Sequence, residues 1–564
     1  MLTSRLQGAA EPGRPNGQRA VWLELGIAGL VLAVLMAVAY ARYARDAGFI
    51  ADDWATVARA HFADSTWQLL QDVFDDAGKR PGLVLYSVLT TRAFGMHGGA
   101  YVLLGMVWIG LSGLTLYALL RRLGLSAITA LAIPFLAVVF PACTSLHLWL
   151  ANYYGNLSLA AAFGGLLAAV AAFDAGRGRR GRIGLHALAS TLFVISAVTY
   201  EVADALIGLS IVVYAIAGIR PLPWKRWAAD VAIVGFCAWA FTTNHLVTDR
   251  QAGLNNPRGF DVIRDRAQMF LDQTVTVFNR TVPFEGPHTW LVPLVIALVL
   301  GTGVGALRAG RLAGARQARL REGVAVVLGG IVLLALAYAV FVPADDFYAP
   351  ASPNLGDRVN ALAMFGYVAV IYGTALLAVR LVGVLLRPDV QTPRAGAYAW
   401  AVPAVLVAVL LGLGAWYTAR TRNEVDLYVQ SARIQRDVLA GITQDVPDHP
   451  DGTAIYTWDY PVEVAPQLPV FYANDLRSAL QLKWNQRAIT GGPVRDLNAL
   501  QCTAHGIAEP VAGPAPYGPH TYFVSINDGR AVPITSQARC ERARTKLGLR
   551  PVYPMDRQGG SEGA

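Results

Sequence analysis

The 564 residues are 54% hydrophobic and only 15% charged, with a mean hydropathy of +0.41; soluble domains carry about 25% charged residues, so an ordinary soluble protein is excluded. Apolar runs longer than about 17 residues, joined by short Arg-rich links, mark a polytopic α-helical membrane protein. The net charge of +9 resides largely in those links, where arginines set topology, so nucleic acid is not an expected partner.

Residues 1–20 are polar and basic (Arg5, Arg14, Arg19) and form an expected cytoplasmic tail. Val21 to Tyr40 is a first span, although Ala37-Val38-Ala39 mimics a signal-peptidase site. The first external loop, 41–98, holds Asp52-Asp53-Trp54 and Lys79-Arg80-Pro81. Trp54, Val57, Ala58 and Phe62 share one helical face; Ser65 to Gln68 has the form of a capping box, with Trp67, Leu70 and Phe74 following on one side. Helices of this kind can rest on a membrane, aromatic face down. Leu83 to Phe94 is too short to cross.

Further spans follow at Ala100 to Leu120, Ala127 to Pro141 and Tyr154 to Phe173. Ile183 to Ile219 would be about 55 Å long as one helix, too long for a hydrocarbon core of about 30 Å. A hairpin turning at Tyr200-Glu201 is therefore expected. Trp227 to Val247, Leu291 to Leu307, Val324 to Val342, Ala361 to Val379 and Ala399 to Tyr417 complete about eleven crossings. A second interfacial helix is expected along Ile263, Ala267, Phe270, Leu271, Val275 and Phe278. The transmembrane region is 21–418. Residues 419–564 have globular usage and read as a small α/β domain outside the cytoplasm, with Leu427, Ile434 and Val438 on a helix leaving the membrane. Cys502 and Cys540 are the default disulfide of that domain.

Acid and base at one membrane face suit transfer of a sugar from a lipid phosphate. The departing phosphate needs positive charge, and the acceptor hydroxyl needs a base. Asp52 and Asp53 are candidate bases, with helix capping as the alternative. Lys79, Arg80 and Arg358 are candidates for the phosphate, against headgroup snorkelling. Tyr200, Glu201, His147, Asn152 and Tyr153 are candidate sugar or acceptor contacts, against a plain turn or a structural histidine. Gly301 to Ala306 superficially matches a dinucleotide loop, but no strand precedes it.

The acidic pair after the first span, the Arg-Pro that follows it and the external C-terminal domain resemble the GT-C class of membrane glycosyltransferases. The likeness is greatest to bacterial members that use polyprenyl-phosphate sugars, related in plan to protein mannosyltransferases, aminoarabinose transferases and arabinosyltransferases. It implies an inverting enzyme of the bacterial inner membrane with Asp52 or Asp53 as base, a polyprenyl-phosphate sugar donor, and a glycan, lipid or protein acceptor. The link Pro141 to Asn152 has no acid, so no metal is required, although a divalent cation stays open. Competing expectations are a flippase for lipid-linked saccharides and a polymerase or ligase using lipid pyrophosphate. Acids placed at span ends rather than mid-membrane favour the enzyme.

Overall fold

The computed structural model describes residues 15–78, 80–242, 260–283, 314–342, 348–385, 394–446, 448–494, 500–508 and 514–548. Long helices dominate: α1 (Pro15–Asp46), α5 (Gly98–Arg122), α8 (Tyr153–Ala171), α9 (Arg179–Thr199), α12 (Trp224–Thr242), α13 (Phe260–Thr281), α14 (Gly314–Ala339), α15 (Ala363–Leu385) and α16 (Arg394–Asp445). Shorter ones fill the links: α2 (Asp52–Phe62), α3 (Thr66–Ala77), α4 (Pro81–Phe94), α6 (Ala127–Ala137), α7 (Ser145–Leu148), α10 (Asp204–Gly208) and α11 (Ser210–Ile216).

Seven of the described helices are long and apolar enough to cross a membrane, against the eleven crossings expected for the whole chain. Ala127 to Pro141 forms only α6, which holds Pro134 and ends at Ala137, too short to count among the seven. The second arm of the Ile183–Ile219 hairpin breaks into a turn at Glu201–Ala203 followed by α10 and α11. The segment from Trp227 forms α12, which is not among the seven. Leu291 to Leu307, and with it the Gly301 to Ala306 stretch, lies outside the described residues.

The helices alternate in direction. Tyr117, late in α5, donates its hydroxyl to Glu24, early in α1, at 2.5 Å. Arg122–Asp174 and Arg380–Glu322 also lie at this arginine-rich end. The opposite end gathers the links that carry the candidate residues: the first loop, residues 141–152, Tyr200–Glu201 and residues 348–360.

In the first loop, Ser65 caps α3 by accepting the Gln68 amide at 3.1 Å. The reciprocal half of the box slips by one residue, because Gln68 Oε1 accepts from Asp64 N rather than Ser65 N. Trp67 is 66% exposed and Phe74 is exposed too, so α3 does present an aromatic face outward. The corresponding expectation for α2 is corrected: Trp54, Val57 and Ala58 are buried in protein, with Trp54 6.1 Å from the Phe471 ring. Arg92 of α4 donates to the carbonyls of Ala60 and Ala63 at the end of α2, which locks these two short helices together. The stripe on α13 divides as well. Phe270 and Phe278 pack on Tyr338 and Tyr367, whereas Ile263 and Leu271 stay exposed.

The last span and the expected departing helix are one element: α16 has 52 residues, about 78 Å of helix. Beyond it, β1 (Ala454–Trp458), β4 (Thr490–Pro493), β7 (Thr521–Ser525) and β8 (Arg530–Pro533) form a sheet in the order β4-β1-β7-β8, parallel except for the β7–β8 pair. Two small hairpins, β2 (Glu463–Ala465) with β3 (Leu468–Pro469) and β5 (Gln501–Thr503) with β6 (Gly506–Ala508), flank it. Helix α17 (Ala473–Trp484) follows β3, and α18 (Gln537–Gly548) closes the described chain. Cys502 of β5 and Cys540 of α18 are joined by a disulfide. Ser431 and Gln435 of α16 donate to the carbonyls of Pro469 and Val470, fixing the sheet region to the long helix. His61 of α2 and Asn485 after α17 meet at 2.8 Å, which brings α17 over the first loop.

Candidate active site

A cavity of about 660 Å³ opens where these links converge. Its wall takes Asp52 and Asp53 from α2, Arg80 from the start of α4, Trp149 to Asn152 from the second link, Arg358 from a late turn, and Asn474 from α17.

The acidic pair divides into two roles. Asp53 is 4% exposed; its Oδ2 accepts the Ile50 amide at 2.9 Å and its Oδ1 the Ala151 amide at 2.8 Å. Burial pushes its carboxyl well above the usual range, against the pull of those two amides and with a further push from Asp52. Neither aspartate side chain caps α2. Ala51, just ahead of the pair, has φ +50° and ψ −129°, a region costly for a residue with a Cβ. Asp52 is exposed to the cavity, and among the described residues nothing hydrogen-bonds to its carboxylate. Its recessed position pushes the carboxyl up, Arg358 pulls it down, and Asp76 pushes it up again.

The cations are held differently. Arg80 donates through Nε to Glu201 Oε2 at 2.8 Å and through NH2 to Glu201 Oε1, and its guanidinium lies 4.9 Å from the Tyr200 ring centroid. Burial raises the Glu201 carboxyl, but the Arg80 charge and hydrogen bond outweigh it and leave the group below the usual range. Arg358 sits between two aromatic rings, 5.5 Å from Trp149 and 5.4 Å from Tyr348. Its neighbour Asp357 accepts the amides of Thr144 (2.6 Å) and Ser145 (3.0 Å) and both of their hydroxyls. Burial nevertheless pushes Asp357 up to about 6. Trp149 also donates its indole N–H to the Ile50 carbonyl at 3.1 Å.

Of the residues singled out from sequence, Asp52, Asp53, Arg80, Asn152 and Arg358 reach the cavity. Asn152 is 2% exposed, and its amide nitrogen has no hydrogen-bond partner among the described residues. Tyr200 and Glu201 stand behind Arg80 rather than in the wall. His147 and Tyr153 do not face the cavity. His147 is buried against the Tyr40 hydroxyl at 3.1 Å, and burial pushes its imidazole down to about 3; Tyr153 is wholly enclosed. Both are therefore corrected from sugar contacts to core residues. Lys79 lies outside the described residues.

Sequence reasoning missed Trp149, Tyr348 and Asp357, which hold the Arg358 turn, and the Arg59–Asp76 pair on the cavity wall. The acidic residue Asp357 stood directly beside a candidate cation, and that adjacency was the available signal. Among the described residues, no group of three or more His, Cys, Asp or Glu is placed to hold a metal ion.

No protein-family model matches the chain, and no curated protein matches it by sequence. Solved structures do. An Archaeoglobus fulgidus oligosaccharyltransferase tethered to an acceptor peptide with an NVT sequon aligns at 13% identity and a TM-score of 0.36, over 78% of this chain. The match spans only 61% of that enzyme's length. ArnT from Cupriavidus metallidurans aligns in its apo state at 14% identity, TM-score 0.34, over 79% of this chain and 83% of ArnT. The same protein bound to undecaprenyl phosphate aligns at 15% identity and 0.32, over 78% and 83%.

Proposed function

We propose that the chain is an inverting glycosyltransferase that moves one sugar from a polyprenyl-phosphate donor to an acceptor outside the cytoplasm. The convergence of Asp52, Arg80 and Arg358 on one cavity carries the proposal. Asp52 is the base, because both oxygens of Asp53 are already committed to backbone amides. It takes the proton of the acceptor hydroxyl as that oxygen attacks the anomeric carbon. The bond to the phosphate oxygen breaks on the opposite face, and its electron pair leaves on the phosphate, next to Arg80 and Arg358. Lys79, beside Arg80 in sequence, is a third candidate for that charge. Asn152 offers an amide to the sugar or the acceptor.

The polarity follows from the arginines. With the arginine-rich end in the cytoplasm, the N-terminus is inside, the cavity faces out at headgroup level, and the C-terminal sheet region lies outside. Four crossings beyond the seven long apolar helices would give eleven. The membrane is then the inner membrane of a bacterium, and the acceptor is a glycan, lipid or protein of the envelope.

The test is Asp52→Asn. Envelope glycans should lose the transferred sugar, while the purified variant keeps binding polyprenyl phosphate. Normal turnover in this variant would remove Asp52 as base.

A further inference from the structure

Arg80 is fixed from several directions. Glu201 takes its Nε and NH2 edge in a two-point fork, a geometry that sets the guanidinium plane as well as its position. The Tyr200 ring covers one face of that plane. Gly82 allows the start of α4 to press on the end of α9: a Cβ there would stand 2.9 Å from both the amide nitrogen and the Cα of Thr199. One edge remains. Among the described residues, NH1 of Arg80 meets no acceptor, and Arg80 lines the cavity whereas Glu201 and Tyr200 do not.

We infer that Glu201 and Tyr200 form a mount that aims the NH1 edge of Arg80 at an oxygen of a phosphate-bearing ligand. Glu201 is thus a positioning residue that does not touch the ligand. The inference rests on the donor-phosphate reading above and adds which edge of which cation is offered, and what holds it there.

The alternative has the opposite sign, which makes the inference testable. A carboxylate this close to a bound phosphate repels it, so a Glu201 that acted only through its charge would weaken binding, and its neutralisation would strengthen it. As a mount it works the other way. In Glu201→Gln one of the two facing oxygens becomes an N–H donor, the fork breaks, and the NH1 edge loses its aim.

The experiment titrates the purified full-length chain with polyprenyl phosphate, and in parallel with the phosphate-free polyprenol. Glu201→Gln should bind polyprenyl phosphate about tenfold or more weakly, with polyprenol binding unchanged. Arg80→Lys keeps the charge but cannot donate the two-point fork to Glu201, and should show a similar loss. The double variant should be little worse than either single one, because both break one unit. Equal or tighter phosphate binding in Glu201→Gln, additive losses, or a matching fall in polyprenol binding would overturn the inference. A wild type that binds polyprenol but not its phosphate would overturn the donor reading itself, and the inference with it.

Discussion

Asp53 accepts the amide of Ala151 at 2.8 Å, across 98 residues of chain. With the Ile50 amide on its other oxygen, this aspartate staples the first loop to the second link. That leaves Asp52 as the carboxylate with an open face toward the cavity. Adjacent acids of the same chemistry therefore have separable losses on mutation. Asp52→Asn should abolish transfer with an unchanged melting temperature. Asp53→Asn turns an N–H donor toward one backbone amide and should cost about 1–3 kcal/mol of stability, read by thermal unfolding of the two variants side by side.

The pH profile follows from the same site. As the proposed base, Asp52 must be ionised to act, so the rate should rise with pH through a pKa above the usual carboxylate value of about 3.9. Arg358 pulls that pKa down. Arg358→Ala should therefore move the acid limb to higher pH, in addition to weakening donor binding. A limb that stays in place would separate Arg358 from Asp52.

Asp357 should show itself in stability rather than rate. Its folded-state value of about 6 lies above the unfolded value of about 3.9, so the folded chain holds this proton more tightly. Its contribution is greatest below about pH 4 and falls as pH rises through about 6. Asp357→Asn should remove that slope. Because each of the two oxygens receives a backbone amide, the variant should also lose about 1–3 kcal/mol at neutral pH. Unfolding measured at pH 4 and pH 7 checks both.

Backbone geometry gives two more tests. Gly82→Ala pushes a Cβ into the backbone of Thr199. It should cost about 1–3 kcal/mol and weaken donor binding, because Arg80 is the N-cap residue of α4, two positions before Gly82. Ala51→Gly removes the Cβ from a positive-φ turn and should raise stability by about 1 kcal/mol with the Asp52 position retained; a fall in melting temperature would contradict the strain.

Much of this was legible before the structure, for reasons that also explain the misses. Spans such as α1, α5 and α15 announce themselves through length, apolarity and flanking arginines. The start of α2 at Asp52 and the cap at Ser65 are local and readable. The division of labour within Asp52-Asp53 is not, because it depends on an amide 98 residues away. The pairing of Arg80 with Glu201 spans 121 residues, so each looked like an independent ligand contact. An amphipathic stripe such as that of α2 has the same periodicity whether it faces lipid or protein, and only the arrival of Phe471 decides. His147 looked accessible because its segment is a link between spans, yet the link itself folds inward.

Helix α16 carries one more consequence. The rod that forms the final apolar segment also bears the hydrogen bonds to Pro469 and Val470, immediately before α17 delivers Asn474 to the cavity wall. The distance of that wall from the apolar segment is therefore set by a count of residues along a single unbroken shaft. Adding or deleting one residue between Tyr417 and Ser431 would rotate everything above it by about 100°, swinging the roof off the chamber it covers.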